Sequence, residues 1–251
     1  MTSAELLAAL DLPPSVRVDQ RVPKKLLLEN GAPTAADKRA INDGIEWMQW
    51  LAALKSTTTG VAAYRDEARE YLEIAVLNVV WRDGAKTSRL TELVHRAIPY
   101  PVVLLAEGGG AVAMSLAHKR WAQNEAGKMV LDGEIMQAQL ADAKPDIASA
   151  FLRALALAAQ PRTSMLSLYR GWENAVTALQ AALLTGTFAL LDSDERTAAR
   201  RAALGAVAGL QARIGELHRA AAGASQLARQ VELNLELARV RTELAAAQAQ
   251  L

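Results

Sequence analysis

Residues 71–81, Tyr-Leu-Glu-Ile-Ala-Val-Leu-Asn-Val-Val-Trp, leave a folding chain little choice. The run is rich in β-branched and apolar residues at both odd and even positions, which suits a central strand covered on both faces. Thr87 and Ser88 can cap a following helix that carries Leu90, Leu93, Val94 and Ala97 on one side. Ile98-Pro99-Tyr100-Pro101 stops that helix, because a residue before proline is pushed out of the helical region. Pro101-Val-Val-Leu-Leu-Ala reads as a second buried strand, Glu107-Gly-Gly-Gly as a turn, and Ala111-Val-Ala-Met-Ser-Leu-Ala as the returning strand. The helix at 87–97 then serves as a right-handed crossover.

The flanks add to this unit. Ser3 to Leu10 can form a short helix, stopped by Pro13-Pro14. Arg21, Lys24 and Lys25 cluster beside the apolar run Leu26-Leu27-Leu28, and read either as a phosphate-contacting edge or as solvated charge beside an anchor. Thr34 and Asp37 form a pair resembling a capping box, and the helix they open is expected to place Ile41, Ile45, Trp47, Met48 and Leu51 on one stripe. Ser56 to Gly60 ends it. Beyond Arg120, a turn-like run at 124–127 precedes Lys128 to Ile135, expected as an edge strand weakened by Gly133. The sum is a small mixed sheet of about four strands with covering helices.

Helices take over at Pro145. Ile147 to Ala159 is apolar around much of its circumference, and a further helix carries Met165, Leu168, Tyr169, Trp172, Val176, Leu179 and Leu183 before ending at Thr185-Gly186. Asp192 and Glu195 restart helix in a capping-box spacing. Val207, Leu210, Ile214 and Leu217 alternate spacings of three and four, and Leu233, Leu237, Val240, Leu244 and Leu251 keep a similar spacing in a shifted frame. Between them Ala220 to Ser225 is either a stutter in one long helix or the turn of a hairpin, and Gly223 and Ser225 favour the turn. The expected fold class is α+β, with a small α/β domain at 1–140, a helical connector at 141–190, and a coiled-coil or helical-hairpin arm at 191–251.

The formal net charge of +1 supplies no global field to draw in nucleic acid or an anionic membrane. Absent cysteines exclude disulfides and zinc-thiolate sites. The start, Met-Thr-Ser-Ala-Glu-Leu-Leu, lacks the basic and apolar regions of a signal peptide, and no apolar run reaches the roughly 18–20 residues of a membrane span. A cytoplasmic, soluble protein is expected.

No catalytic constellation stands out. The histidines His95, His118 and His218 are scattered, so neither a metal site nor a cofactor is expected. Gly108-Gly109-Gly110 lacks the Lys-Ser/Thr of a phosphate loop. A metal-dependent nuclease would have to gather its carboxylates from Glu70, Glu73, Asp83, Glu107, Asp132 and Glu134. His118-Lys119-Arg120-Trp121 reads either as a strand emerging into solvent or, through Lys119, Arg120 and Trp121, as a nucleic-acid contact that joins Arg21, Lys24 and Lys25. Tyr169, Arg170 and Trp172 read as core or as a protein-binding hot spot. Leu233, Leu237, Val240 and Leu244 read as a helix-binding seam, for a protein partner or a homodimer.

Five motifs occur in order: Val22-Pro-Lys-Lys-Leu, Ala97-Ile-Pro-Tyr-Pro, Ser115-Leu-Ala-His-Lys-Arg, Leu168-Tyr-Arg-Gly-Trp172 and Val231-Glu-Leu-Asn-Leu-Glu-Leu. Together they resemble the bacterial family called domain of unknown function 4391 over nearly the whole chain. The resemblance supplies no catalytic residues. It implies, by association with gene clusters encoding helicases and DNA methyltransferases, a role in DNA restriction or antiviral defence. The expected function is therefore a non-enzymatic accessory subunit with a helicase or methyltransferase partner. The alternatives are a nucleic-acid-binding module and a metal-dependent nuclease.

Overall fold

A computed structural model of the protein describes residues 2–123, 125, 127–141 and 143–251. Asn124 and Ala126 of the turn-like run lie outside the described residues. The chain divides into two compact units, Met1–Val176 and Thr177–Leu251.

The first unit begins with α1 (Ser3–Ala9), β1 (Arg17–Arg21), α2 (Lys24–Asn30), α3 (Ala35–Gly44), β2 (Ile45–Lys55) and α4 (Ser56–Thr59). Two short strands, β3 (Tyr64–Arg65) and β4 (Glu70–Tyr71), precede β5 (Glu73–Trp81), α5 (Thr87–Ala97), β6 (Val102–Gly108) and β7 (Ala111–Ala117). Then come β8 (Lys119–Trp121), β9 (Met129–Leu131), β10 (Met136–Gln139), α6 (Pro145–Ala154) and α7 (Met165–Thr185), the last of which continues into the second unit.

Among the described residues the main sheet is six-stranded, in the order β1-β2-β5-β6-β7-β10. β5 and β6 are parallel and joined through α5, as a crossover connection requires, and the remaining pairs are antiparallel. β5 is central and almost wholly buried, which explains its lack of alternation. Its residues Ala75, Leu77 and Val79 share one core with Val102 and Leu104 of β6 and with side chains of α2, α3 and α5. Burying each such Leu or Val side chain contributes roughly 1.5–3 kcal/mol. The β6–β7 turn is the expected one: Gly109 and Gly110 take φ of 60° and 76°, the left-handed pair of a tight hairpin.

Several expectations are corrected. The sheet has six strands among the described residues where about four were expected. The stripe expected as one helix from Thr34 onward is a helix only to Gly44, and Ile45–Lys55 is a strand paired with β5. The stretch Lys128–Ile135 supplies β9, which pairs with β8 in a separate two-stranded sheet, while β10 takes the edge of the main one. The strand read at 71–81 begins at Glu73, because Leu72 turns into solvent and Tyr71 belongs to β4. Ile147–Ala159 is shorter as a helix than expected: α6 ends at Ala154 and a 3-10 turn follows at Leu157–Ala159.

In the second unit, α8 (Asp194–Gly223) and α9 (Leu227–Gln248) form a helical hairpin through the short connection Ala224–Gln226. The N-cap of α8 is Ser193, whose hydroxyl accepts from the Arg196 N–H, rather than Asp192. Leu217, Leu233, Leu237 and Val240 form the hairpin core, with Leu210 and Ile214 packed against it. Arg213 and Glu236 pair across it at 2.6 Å. Among the described residues, no helix is long and apolar enough to cross a membrane.

Candidate functional site

The chain leaves β7 through His118 and immediately forms β8, so consecutive residues at 117–121 face different environments. His118 Nδ1 contacts the Tyr71 hydroxyl, and its Nε2 lies 2.7 Å from Glu173 Oε2. All three side chains are buried. One arrangement of protons satisfies both contacts: the phenol donates to Nδ1, and Nε2–H donates to the carboxylate. Burial pushes the Tyr71 phenol up, which keeps that donor proton in place. Tyr169 packs edge-on against His118 and tilted against Tyr71, with ring centroids 5.4 Å and 5.7 Å away. Its hydroxyl accepts from the Ala117 N–H at 2.8 Å and lies 2.8 Å from the Val102 carbonyl. These contacts fasten α7 to the ends of β6 and β7. The cluster is a clamp with its polar ends turned inward, and it offers no activated nucleophile.

Lys119 points into the core and is 1% exposed. Its amine donates to the carbonyls of His95 and Ile98, closing the C-terminal end of α5 where carbonyls lack helical partners. Burial pushes this amine down to about 7. His95 Nε2 lies 3.0 Å from Ser115 Oγ, and its Nδ1 has no hydrogen-bond partner. Burial, with the nearby Lys119 charge, pushes His95 down to about 3 and keeps the ring neutral. Lys119 therefore cannot reach a phosphate, and the nucleic-acid alternative for this cluster loses it.

Arg120 takes the opposite face of β8. It shares a cleft of about 600 Å³ with Arg96 of α5 and Lys128 just before β9, and Glu29 lies on the α2 side. Gly31 lets the end of α2 approach α5, since a Cβ there would stand 2.6 Å from the Leu93 carbonyl oxygen. Trp121 is half-buried, with the Arg65 guanidinium 5.9 Å from its ring centroid. Arg21, Lys24 and Lys25 do not line this cleft. Arg21 lines a different one with Asp19, Trp47 and Gln49; Lys24 donates to the Asn42 carbonyl at 2.9 Å; Lys25 pairs with Glu29 at 3.6 Å.

Tyr169 and Trp172 are fully buried, and the Trp172 indole N–H donates to the Leu155 carbonyl at 2.9 Å. Arg170, between them, is half-buried. The two aromatics are thus core side chains of the first unit. Leu233, Leu237 and Val240 face α8 within the hairpin, with Leu244 half-buried beyond them. What α9 leaves in solvent is a second row, Leu227, Val231 and Leu235, exposed by 76%, 51% and 68%. Their i, i+4, i+8 spacing places them on one face, nearly opposite the buried row. That periodicity is present in the sequence but is masked by the longer leucine row interleaved with it along the chain.

Three of the six acids considered for a nuclease go to separate partners. Glu73 pairs with Lys55 at 3.1 Å, Asp132 with Arg69 at 2.6 Å, and Glu107 accepts from the Ser3 hydroxyl at 2.6 Å. Among the described residues, no group of three or more His, Asp or Glu side chains is placed to hold a metal ion. Compared with known proteins, residues 10–244 match the family model described as Domain of unknown function (DUF4391). No curated protein and no solved structure matches the chain.

Proposed function

Because the chain belongs to the DUF4391 family, whose model spans both of its units, we propose that it is a non-enzymatic interaction subunit of a bacterial DNA restriction or anti-phage assembly, engaging a helicase or DNA methyltransferase through its C-terminal hairpin. The observation that carries this reading is the row Leu227, Val231 and Leu235, left in solvent while the neighbouring leucines are buried. An apolar row at this spacing is how one helix presents anchors to a groove on another protein. Exposed large side chains in sequence register also mark interaction surfaces more often than scattered ones do. The buried Tyr71–His118–Glu173 clamp and the Lys119 cap serve the first unit's fold in this reading.

The test is recovery of partners by the tagged full chain, expressed with its neighbouring genes, from a lysate treated with nuclease. A helicase or methyltransferase should be recovered with the wild type and lost with Leu227→Glu/Leu235→Glu, whose helix content should match the wild type because both positions are solvent-facing. Recovery that survives both charges removes the hairpin from the contact. Recovery only without nuclease assigns the association to shared DNA. A mass of two copies in solution, lost in the variant, assigns the row to a homodimer.

A further inference from the structure

We propose that the cleft between the end of α2, α5 and the β8–β9 hairpin binds a nucleoside phosphate, either as a free nucleotide or as a nucleotide within a single strand. Its volume, about 600 Å³, is that of an ordinary small-ligand site. Three cations, Arg96 of α5, Arg120 of β8 and Lys128 just before β9, line it, and among the described residues Glu29 supplies its one carboxylate. Glu29 itself is paired with Lys25 on the helix surface.

The cations have partners, and those partners are weak competitors. Lys128 pairs with Glu125 at 2.7 Å on the exposed surface, so exchange for a phosphate loses little. Arg96 pairs at 2.7 Å with the half-buried Glu92, which Arg89 also holds at 2.7 Å and which therefore keeps a partner when Arg96 turns to a ligand. Arg120 stands furthest from its acid. Asp132 is taken by the Arg69 guanidinium at 2.6 Å and leaves Arg120 at 3.8 Å. Its Nη1 donates to the Trp121 carbonyl at 3.2 Å, and the guanidinium's remaining N–H groups can form the hydrogen bonds that a phosphate accepts.

The remaining wall fits the other half of such a ligand. Pro33 and residues of β9 (Met129–Leu131) add apolar lining of the kind small-ligand sites use for the uncharged part of a ligand. Beyond Arg96 and Leu131 a second cleft of about 440 Å³ carries Glu92 and Glu134. Glu92 is held by Arg89 and Arg96, each at 2.7 Å, so Glu134 is the acid that disfavours an anion there and favours the Arg120–Lys128 side for the ligand's charged end. A ligand with one anionic end and one flat body satisfies both halves. This site lies wholly in the first unit and is independent of the hairpin reading.

The experiment is fluorescence anisotropy on the full chain at low salt, with two probes: a labelled adenine nucleotide and a labelled single-stranded oligodeoxynucleotide. Binding of the nucleotide identifies a free-nucleotide site; binding of the oligonucleotide alone identifies a strand site. For the probe that binds, Arg120→Glu is expected to weaken affinity by about tenfold or more, and Lys128→Glu to weaken it and lower the salt slope by about one. Lys128 is exposed and serves as the readout should Arg120→Glu disturb the β8–β9 hairpin. Arg21→Glu, outside the cleft, should leave affinity unchanged. Failure of both probes to bind, or equal binding by the wild type and Lys128→Glu, overturns the proposal.

Discussion

Lys119 lies with its amine between the carbonyls of His95 and Ile98, in a site dry enough to hold it down to about 7. Unfolding returns it to an ordinary 10.5, so between about 7 and 10.5 the unfolded chain holds a proton that the folded chain does not. Stability contributed by this site therefore rises with pH through that window. His95 works in the acid range. Its folded value is about 3 against an ordinary 6.5, so its contribution is full above 6.5 and is lost as pH falls toward 3. Urea midpoints measured from pH 4 to 10 should show both slopes in the wild type. Lys119→Met is expected to flatten the alkaline slope while lowering stability by roughly 1–3 kcal/mol, because two carbonyls lose their donor. His95→Gln should flatten the acid slope; unchanged slopes in both variants would mean that neither group titrates where its burial places it. The Tyr71–His118–Glu173 clamp gives a third residue-level test. Tyr71→Phe should cost about 1–3 kcal/mol, and combining it with Glu173→Gln should cost less than the sum, since both act through His118.

At the scale of elements, glycines separate packing from propensity. A Cβ on Gly31 would meet the Leu93 carbonyl oxygen at 2.6 Å and the Ala97 Cβ at 2.7 Å, so Gly31→Ala must push α2 away from α5. A loss of roughly 1–3 kcal/mol is expected by chemical denaturation. Gly209, in mid-α8, has nothing within 4 Å, and Gly209→Ala should instead stabilise the hairpin by about 1 kcal/mol. A destabilised Gly209→Ala would refute an open helix face there. The same contrast between local pattern and packing explains what the sequence made legible. β5, α5, β6 and β7 could be read because two apolar strands, a proline stop and a glycine turn each act locally. β2 could not. Its pairing with β5 shifts register between Ile45 and Trp47 and again between Trp50 and Ala52, and these irregularities break the two-residue alternation. What remained, Ile41, Ile45, Met48 and Leu51, satisfied a helical template over a helix-to-strand junction at Gly44. β1 and β10 are short, with few apolar residues to announce them, whereas the apolar β9 lies within the strand expected at Lys128–Ile135. The site was legible only in part for a related reason. Arg120 was identified, but its neighbours Arg96 and Lys128 come from other elements, and Lys119 was turned inward by an alternation that one residue of register decides.

Over the whole molecule the charges nearly cancel, at +1, so association depends on where cations and apolar side chains are gathered rather than on a global field. The two gatherings belong to different units: Arg96, Arg120 and Lys128 to the first, and Leu227, Val231 and Leu235 to the second. They also differ in physics. A phosphate site weakens with salt as counterions are displaced, whereas an apolar row is little affected. A two-by-two test follows, with Lys128→Glu, Leu235→Glu, the double variant and the wild type assayed for probe affinity and for nuclease-resistant partner recovery. Lys128→Glu should weaken probe binding and leave recovery intact, with the weakening growing smaller as salt rises from about 50 to 200 mM. Leu235→Glu should abolish or sharply reduce recovery at every salt concentration and leave the anisotropy curve where the wild type has it. The double variant should show both losses at the size each single variant shows, because the substituted side chains share no partner. Loss of probe binding in Leu235→Glu, or of recovery in Lys128→Glu, would mean that ligand and partner act on one coupled surface, and the separation of functions between the units would fail.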